Sequence, residues 1–187
     1  MRRAILIVIL FFFSVWCPAS ARFWHMWAAT AAAQALPPEK WADWQPFLGT
    51  WEGSGGGGPG QGSGAFSFAP DLQGAVLVRH NYAQYPATGD KPAYRHDDLM
   101  VIYPDASGKK TRTDYWDNEG HVIHYVVEFT GHKLVMVSEA GQPGPRYRLT
   151  YVKTGDNDLK LTFEIAPPEA PEKFKTYIEA SAKRTKQ

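Results

Sequence analysis

The sequence predicts an all-β fold, a closed antiparallel up-and-down β-barrel of about ten strands with a short N-terminal capping helix. Three observations carry that expectation. Beyond residue 50 the chain runs in short stretches of alternating apolar and polar residues, rich in Val, Ile, Thr, Tyr and Phe. The stretches are separated by clusters of Gly, Pro, Asn and Asp of hairpin length. No helical crossover stands between any two of them, so parallel pairing has no connection to use. A meander of this length removes its exposed edges by closing on itself; a two-sheet sandwich is the other architecture open to it.

The elements follow in order. Residues 1–21 read as a signal peptide: Arg2 and Arg3 are basic, and Ala4 to Trp16 is apolar but short for a bilayer span. Ala19-Ser20-Ala21 then supplies the small residues of a cleavage site. Cleavage is expected before Arg22, with Ala31-Ala32-Ala33 as a more distant alternative. Cys17 follows the bulky Trp16 where a lipobox wants a small residue, and it leaves with the leader. The expected mature chain is periplasmic or secreted and folds on its core alone, without thiol or disulfide. Residues 22–37, Ala-rich with Phe23, Trp24 and Trp27, are expected to be a linker, and residues 38–187 the barrel domain.

Pro37-Pro38-Glu39 suits a helix start. Trp41, Trp44, Phe47 and Leu48 share a helical face, with Pro46 and Gly49 near the end. This helix is expected to plug one end of the barrel with its tryptophans. Gly53 to Gly64 is dominated by glycine. No Lys-Ser/Thr pair and no helix follow it, so it is not a phosphate-cradling loop. The expectation is a flexible hairpin loop at the barrel mouth between strands around Trp51 and Phe66. Further strands are expected at Ala75–Tyr85, Tyr94–Tyr103, Lys110–Asp117, His121–Thr130 and Lys133–Glu139. The last three are expected at Arg146–Lys153, Asp158–Ile165 and Lys173–Lys183.

Composition narrows the function. Hydrophobic residues at 44% and charged residues at 21% suit a chain that buries a core. A net charge of +1 without a basic block gives no electrostatic footprint for nucleic acid. Seven Trp, nine Tyr and ten Phe serve a core or line a ligand cavity.

Phe47-Leu48-Gly49-Thr50-Trp51-Glu52-Gly53-Ser54-Gly55 resembles the opening of the nitrobindin-like haem-binding barrels of the fatty-acid-binding-protein-like (calycin-type) group. A related family of uncharacterised bacterial barrels shares this opening and a turn that here reads Tyr115-Trp116-Asp117-Asn118-Glu119-Gly120. The resemblance covers Trp41 to Arg184 and implies a ligand-holding barrel. Nitrobindins carry a haem-ligating histidine on the last strand. Here Phe174 to Ala182 has none, so the resemblance implies the fold without the haem ligand.

Hairpin registers then place candidate residues. Tyr94, His96, Asp98, Met100 and Ile102 are expected to share a face with Thr113, Tyr115 and Asp117. The following hairpins add His121, Ile123, Tyr125, Val127 and Phe129, then Leu134, Met136 and Ser138. The face is apolar toward one end and polar toward the other, where His96, Asp98, Asp117 and His121 gather. That suits a lumen holding a lipophilic or amphipathic molecule. Candidate ligand-binding residues are His96, Asp98, Met100, Tyr115, Asp117, His121, Tyr125, Val127 and Met136. The bland alternative is that the His and Asp side chains only hydrogen-bond one another at a wet rim. His121 and His124, three apart on a strand, point to opposite faces and make no chelate. Two further readings stay open: haem or metal held by His96 or His121, and an acid–base enzyme using His96 with Asp98 or Asp117. No Gly-x-Ser-x-Gly elbow supports a nucleophile.

Overall fold

Ten strands follow one another in a meander: β1 (Gly49–Gly57), β2 (Gly62–Asp71), β3 (Val76–Tyr85), β4 (Tyr94–Pro104), β5 (Thr111–Asp117), β6 (Val122–Thr130), β7 (Lys133–Ser138), β8 (Arg146–Gly155), β9 (Asp158–Ala166) and β10 (Lys175–Arg184). Each pairs antiparallel with the next, and β10 returns to pair with β1, closing the barrel. The computed structural model describes residues 39–141 and 144–185; the expected signal peptide and linker lie outside the described residues. The bounds of β3 to β10 fall within two residues of those read from the alternation. No helix among the described residues is long and apolar enough to cross a membrane.

The expected capping helix is a single 3-10 turn, Ala42–Trp44. Its hydrogen bonds run Trp44 N–H to Trp41 O at 3.0 Å and Gln45 N–H to Ala42 O at 3.2 Å. Pro46 has no N–H with which to continue a helix. The plug forms nonetheless. Trp41, Trp44 and Phe47 are buried, and the Trp44 ring lies 5.5 Å from Phe68 and 5.4 Å from Phe129. Trp41 Nε1 donates to Gly74 O at 2.9 Å and Trp51 Nε1 to Phe47 O at 2.8 Å, so neither indole N–H is left unpaired. Odd-numbered strands begin, and even-numbered strands end, at this plugged end. The half of the barrel next to it is solid core, with Leu77, Ile102, Leu134, Met136, Tyr151 and Leu159 almost fully buried.

The glycine tract departs from expectation. Only Gly58–Gln61 is turn; the rest is strand, with Gly53 opposite Gly64 and Gly55 opposite Gly62. A Cβ on Gly55 would stand 2.1 Å from the Glu179 carbonyl oxygen, and one on Gly64 would stand 2.0 Å from that of Tyr82. Glycine therefore lets β1 and β2 approach β10 and β3 more closely than a side chain permits.

Trp44→Ala should remove the centre of the plug and cost about 3–5 kcal/mol of stability, the range for an aromatic truncated in a packed core. A drop in the urea midpoint at unchanged slope is the expected readout.

Candidate functional site

The parity that closes the barrel also sorts its side chains. Asp98 faces Asp117 and Met100 faces Tyr115 across β4–β5; Tyr115 faces Ile123 across β5–β6, and Val127 faces Met136 across β6–β7. Inside, at the end opposite the tryptophan plug, a cavity of about 550 Å³ opens between the strand ends. Its size falls within the range of small-molecule sites. The inward positions Gly53, Gly55, Gly62 and Gly64 line it without contributing a side chain, which leaves part of this volume free. A shallow groove beside Trp116 on the outer surface of β2–β5 is not enclosed.

The cavity has two unlike walls. In a ten-strand ring, β3–β5 lie across from β8–β10. The first wall carries Arg79, Asn81, His96, Asp98, Tyr115 and Asp117; the second carries Tyr147, Leu149, Leu161, Phe163, Ile165 and Ala180.

The polar wall is a continuous hydrogen-bonded chain. Glu119 in the β5–β6 turn accepts from the Tyr94 hydroxyl and from His96 Nδ1, the latter at 2.7 Å. His96 Nε2 lies 3.0 Å from the Tyr115 hydroxyl and 3.4 Å from Asp98 Oδ2. Tyr115 donates to Asp117 Oδ2 at 2.9 Å, which also accepts from His121 Nδ1 at 2.8 Å. The other Asp117 oxygen accepts the backbone N–H groups of Glu119 and His121. Deeper in, Asp98 pairs with the Arg79 guanidinium and accepts from Asn81 Nδ2 at 2.7 Å; both side chains of the ion pair are 4% exposed. Arg79 Nε, Thr113 Oγ1 and the Tyr151 hydroxyl are buried with no partner among the described residues.

The charges follow from these contacts. Asp98 first, then Glu119, outweigh the desolvation of His96 and raise its pKa to about 9. Hydrogen bonds from Tyr94 and His96 hold Glu119 below the usual carboxylate range. Burial pushes Asp117 upward, but the donors from His121, Tyr115 and Glu119 outweigh it and leave Asp117 lowered. Burial, then the Asp98 charge, pushes Tyr115 far above an ordinary phenol. His96 is thus an imidazolium at neutral pH. In that state it donates hydrogen bonds, and in an acid–base pair with Asp98 or Asp117 it suits the acid and not the base.

Of the candidates read from the sequence, the cavity brings together His96, Asp98, Met100, Tyr115, Asp117, His121 and Tyr125. Val127 and Met136 share the inward face but are not among its lining residues; both are buried in packed core. Alternation specifies the face of a strand and not the depth along the barrel. His124 points outward and meets Asp114 at 2.6 Å, away from His121. Sequence reasoning missed Arg79, Asn81, Glu119 and the apolar wall of β8–β9. The parity that turns Leu77 inward also turns Arg79 and Asn81 inward, a signal that was there to be used.

Haem does not fit these residues well. The lining positions of β10 include Ile178, Ala180 and Ala182, none of which could ligate haem iron. Both nitrogens of His96 are engaged. Among the described residues His121 Nε2 has no hydrogen-bond partner, but the side chain is half exposed at the rim. Among the described residues, no three His, Cys, Asp or Glu side chains converge as a metal-binding set.

The fold is similar to that in the crystal structure of Rv2717c from M. tuberculosis. The TM-score is 0.56 at 15% sequence identity, over 81% of this chain and 100% of that one. A likeness at this identity is one of fold. No protein-family model matches the chain, and no curated protein matches it in sequence.

His96 gains its partners on folding, so its pKa rises from 6.5 to about 9. The stabilisation it contributes is present in full below pH 6.5 and lost as pH rises through about 9. Urea unfolding across that window should show wild type losing on the order of 2–3 kcal/mol relative to His96→Gln. Parallel pH profiles for the two proteins would show that the imidazolium stabilises nothing.

Proposed function

We propose that this chain is an exported binding protein whose barrel holds a small lipophilic or amphipathic molecule. One observation carries the reading: a cavity of about 550 Å³, open at one end, has a charged, hydrogen-bonded wall facing an apolar one. A filled barrel needs no inward glycines and no such division, whereas an amphiphile uses both walls. The likeness of Phe47–Gly55 and of the Tyr115–Gly120 turn to nitrobindin-like and fatty-acid-binding-protein-like barrels supports the same reading, with the ligand held by contacts other than a last-strand histidine.

Native mass spectrometry of the folded protein, with organic extraction and analysis of the extract, is the direct test. A bound small molecule released on unfolding is expected. The cavity-lining Leu161→Trp variant should fill the lumen and lose most of the uptake of a neutral fluorescent probe such as Nile red, while keeping a barrel circular dichroism spectrum. Undiminished uptake in that variant would place the probe elsewhere.

Export rests on Arg2, Arg3, the apolar stretch Ala4–Trp16 and Ala19-Ser20-Ala21. N-terminal sequencing of the protein from its native source should find a chain beginning near Arg22, outside the cytoplasm. An intact cytosolic chain beginning at Met1 would overturn the export reading and leave the barrel's binding role untouched.

A further inference from the structure

We infer that the head group received at the barrel mouth is a cation, so that the ligand class is an amphiphile bearing an alkylated ammonium; the inference rests on reading the cavity as a ligand site. The first ground is charge. Among the described residues, the cavity is lined by two cations, Arg79 and His96, by the half-exposed His121, and by three carboxylates, Asp98, Asp117 and Glu119. No lysine lines it. Both cations are already engaged. The Arg79 guanidinium is paired with Asp98 in the interior, and His96 spends one nitrogen on Glu119 and the other on Tyr115. Arg79 Nε has no partner, but the side chain is 4% exposed and lies 5.6 Å over the Phe66 ring. An anionic head group would have to displace Asp98 or Glu119 from its cation, or settle for the half-exposed His121 Nε2 at the rim. A cationic one displaces nothing.

The second ground is the aromatic collar around the carboxylates. Tyr85 and Tyr94 stack with ring centroids 5.7 Å apart on the side of β3–β4. Across the mouth, Tyr147 and Phe163 stack at 5.9 Å, and Phe163 meets Tyr177 edge to face at 6.3 Å. These five rings all line the cavity. The faces of aromatic rings carry negative electrostatic potential and attract an ammonium, most strongly when it is shed of water. Glu119 adds an acceptor among them: both of its hydrogen bonds fall on Oε1, so Oε2 is free among the described residues. The apolar wall of Leu149, Leu161 and Ile165 then receives the chain or ring system behind the head group. Rings that attract cations, a Glu119 oxygen without a partner and the engagement of Arg79 and His96 all favour the same sign of ligand charge.

Three probes with the same tail separate head group from chain: dodecyltrimethylammonium, dodecanoate and dodecyl maltoside, each titrated below its micelle concentration and followed by calorimetry. Dodecyltrimethylammonium is expected to bind about tenfold or more tighter than dodecanoate. Glu119→Gln and Tyr147→Leu should each weaken the ammonium probe several-fold more than dodecyl maltoside, and an unchanged circular dichroism spectrum checks that the variants are folded. Dodecanoate binding as tightly as the ammonium, or an ammonium affinity unmoved by both substitutions, overturns the cation assignment. If none of the three probes binds, the cavity reading falls with it; if all three bind alike, only the head-group inference falls.

Discussion

Seven residue pairs between β1 and β10, from Trp51 opposite Arg184 to Gly57 opposite Ile178, close this sheet. A ten-strand meander without that contact would present two unpaired edges to solvent. Two paired side chains join closure to the plug: Trp51 on β1, whose Nε1 donates to Phe47 O, and Arg184. Arg184 on β10 donates to the carbonyl oxygens of Pro46 and Leu48 and lies 4.2 Å over the Trp51 ring. The segment that seals one end and the strand pair that shuts the cylinder thus hold each other in place. Because β1 and β2 contribute glycine where other strands contribute side chains, the same closure leaves an open volume at the far end.

The polar wall shows how the barrel tolerates ionised groups in its interior. Arg79 and Asp98 sit on neighbouring strands, and each would be costly to bury without the other. Asn81 supplies a further hydrogen bond to the same carboxylate. The ion pair is better regarded as a source of specificity than of stability. A slip of one residue between β3 and β4 would turn one partner outward and strand the other in the core. From Asp98 the chain of contacts through His96, Tyr115 and Asp117 reaches the rim without a break. The side chains of the wall thus hold one another in position, which suits recognition.

Much of this was legible beforehand. The face shared by His96, Asp98, Met100, Tyr115, Asp117 and Tyr125 follows from short turns and strict alternation, because strand parity leaves no freedom once a hairpin register is set. Other features were not legible. The run from Gly53 to Gly64 looks like loop to any propensity scale, since its strand character comes from pairing with β10 and β3 and not from its own preferences. The helical spacing of Trp41, Trp44 and Phe47 correctly marked one buried face, but the backbone beneath it is a 3-10 turn stopped by Pro46. Val127 and Met136 were assigned to the ligand by their parity, and the packing next to the plug takes them into the core.

By itself the sequence determined the local terms: alternation, turn positions, which residues share a strand face, and the indole plug at the start of the barrel. Each depends on residues near one another in the chain, where backbone geometry is nearly rigid. Only the tertiary structure decided what meets across the lumen. That Tyr147 and Phe163 stand across the mouth from Tyr85 and Tyr94 is a consequence of closure, whereas Arg79 with Asp98, and Glu119 with Tyr94 and His96, meet through neighbouring strands and their turn. Closure sets strands five apart in the ring against each other, and no periodicity along the chain records that distance.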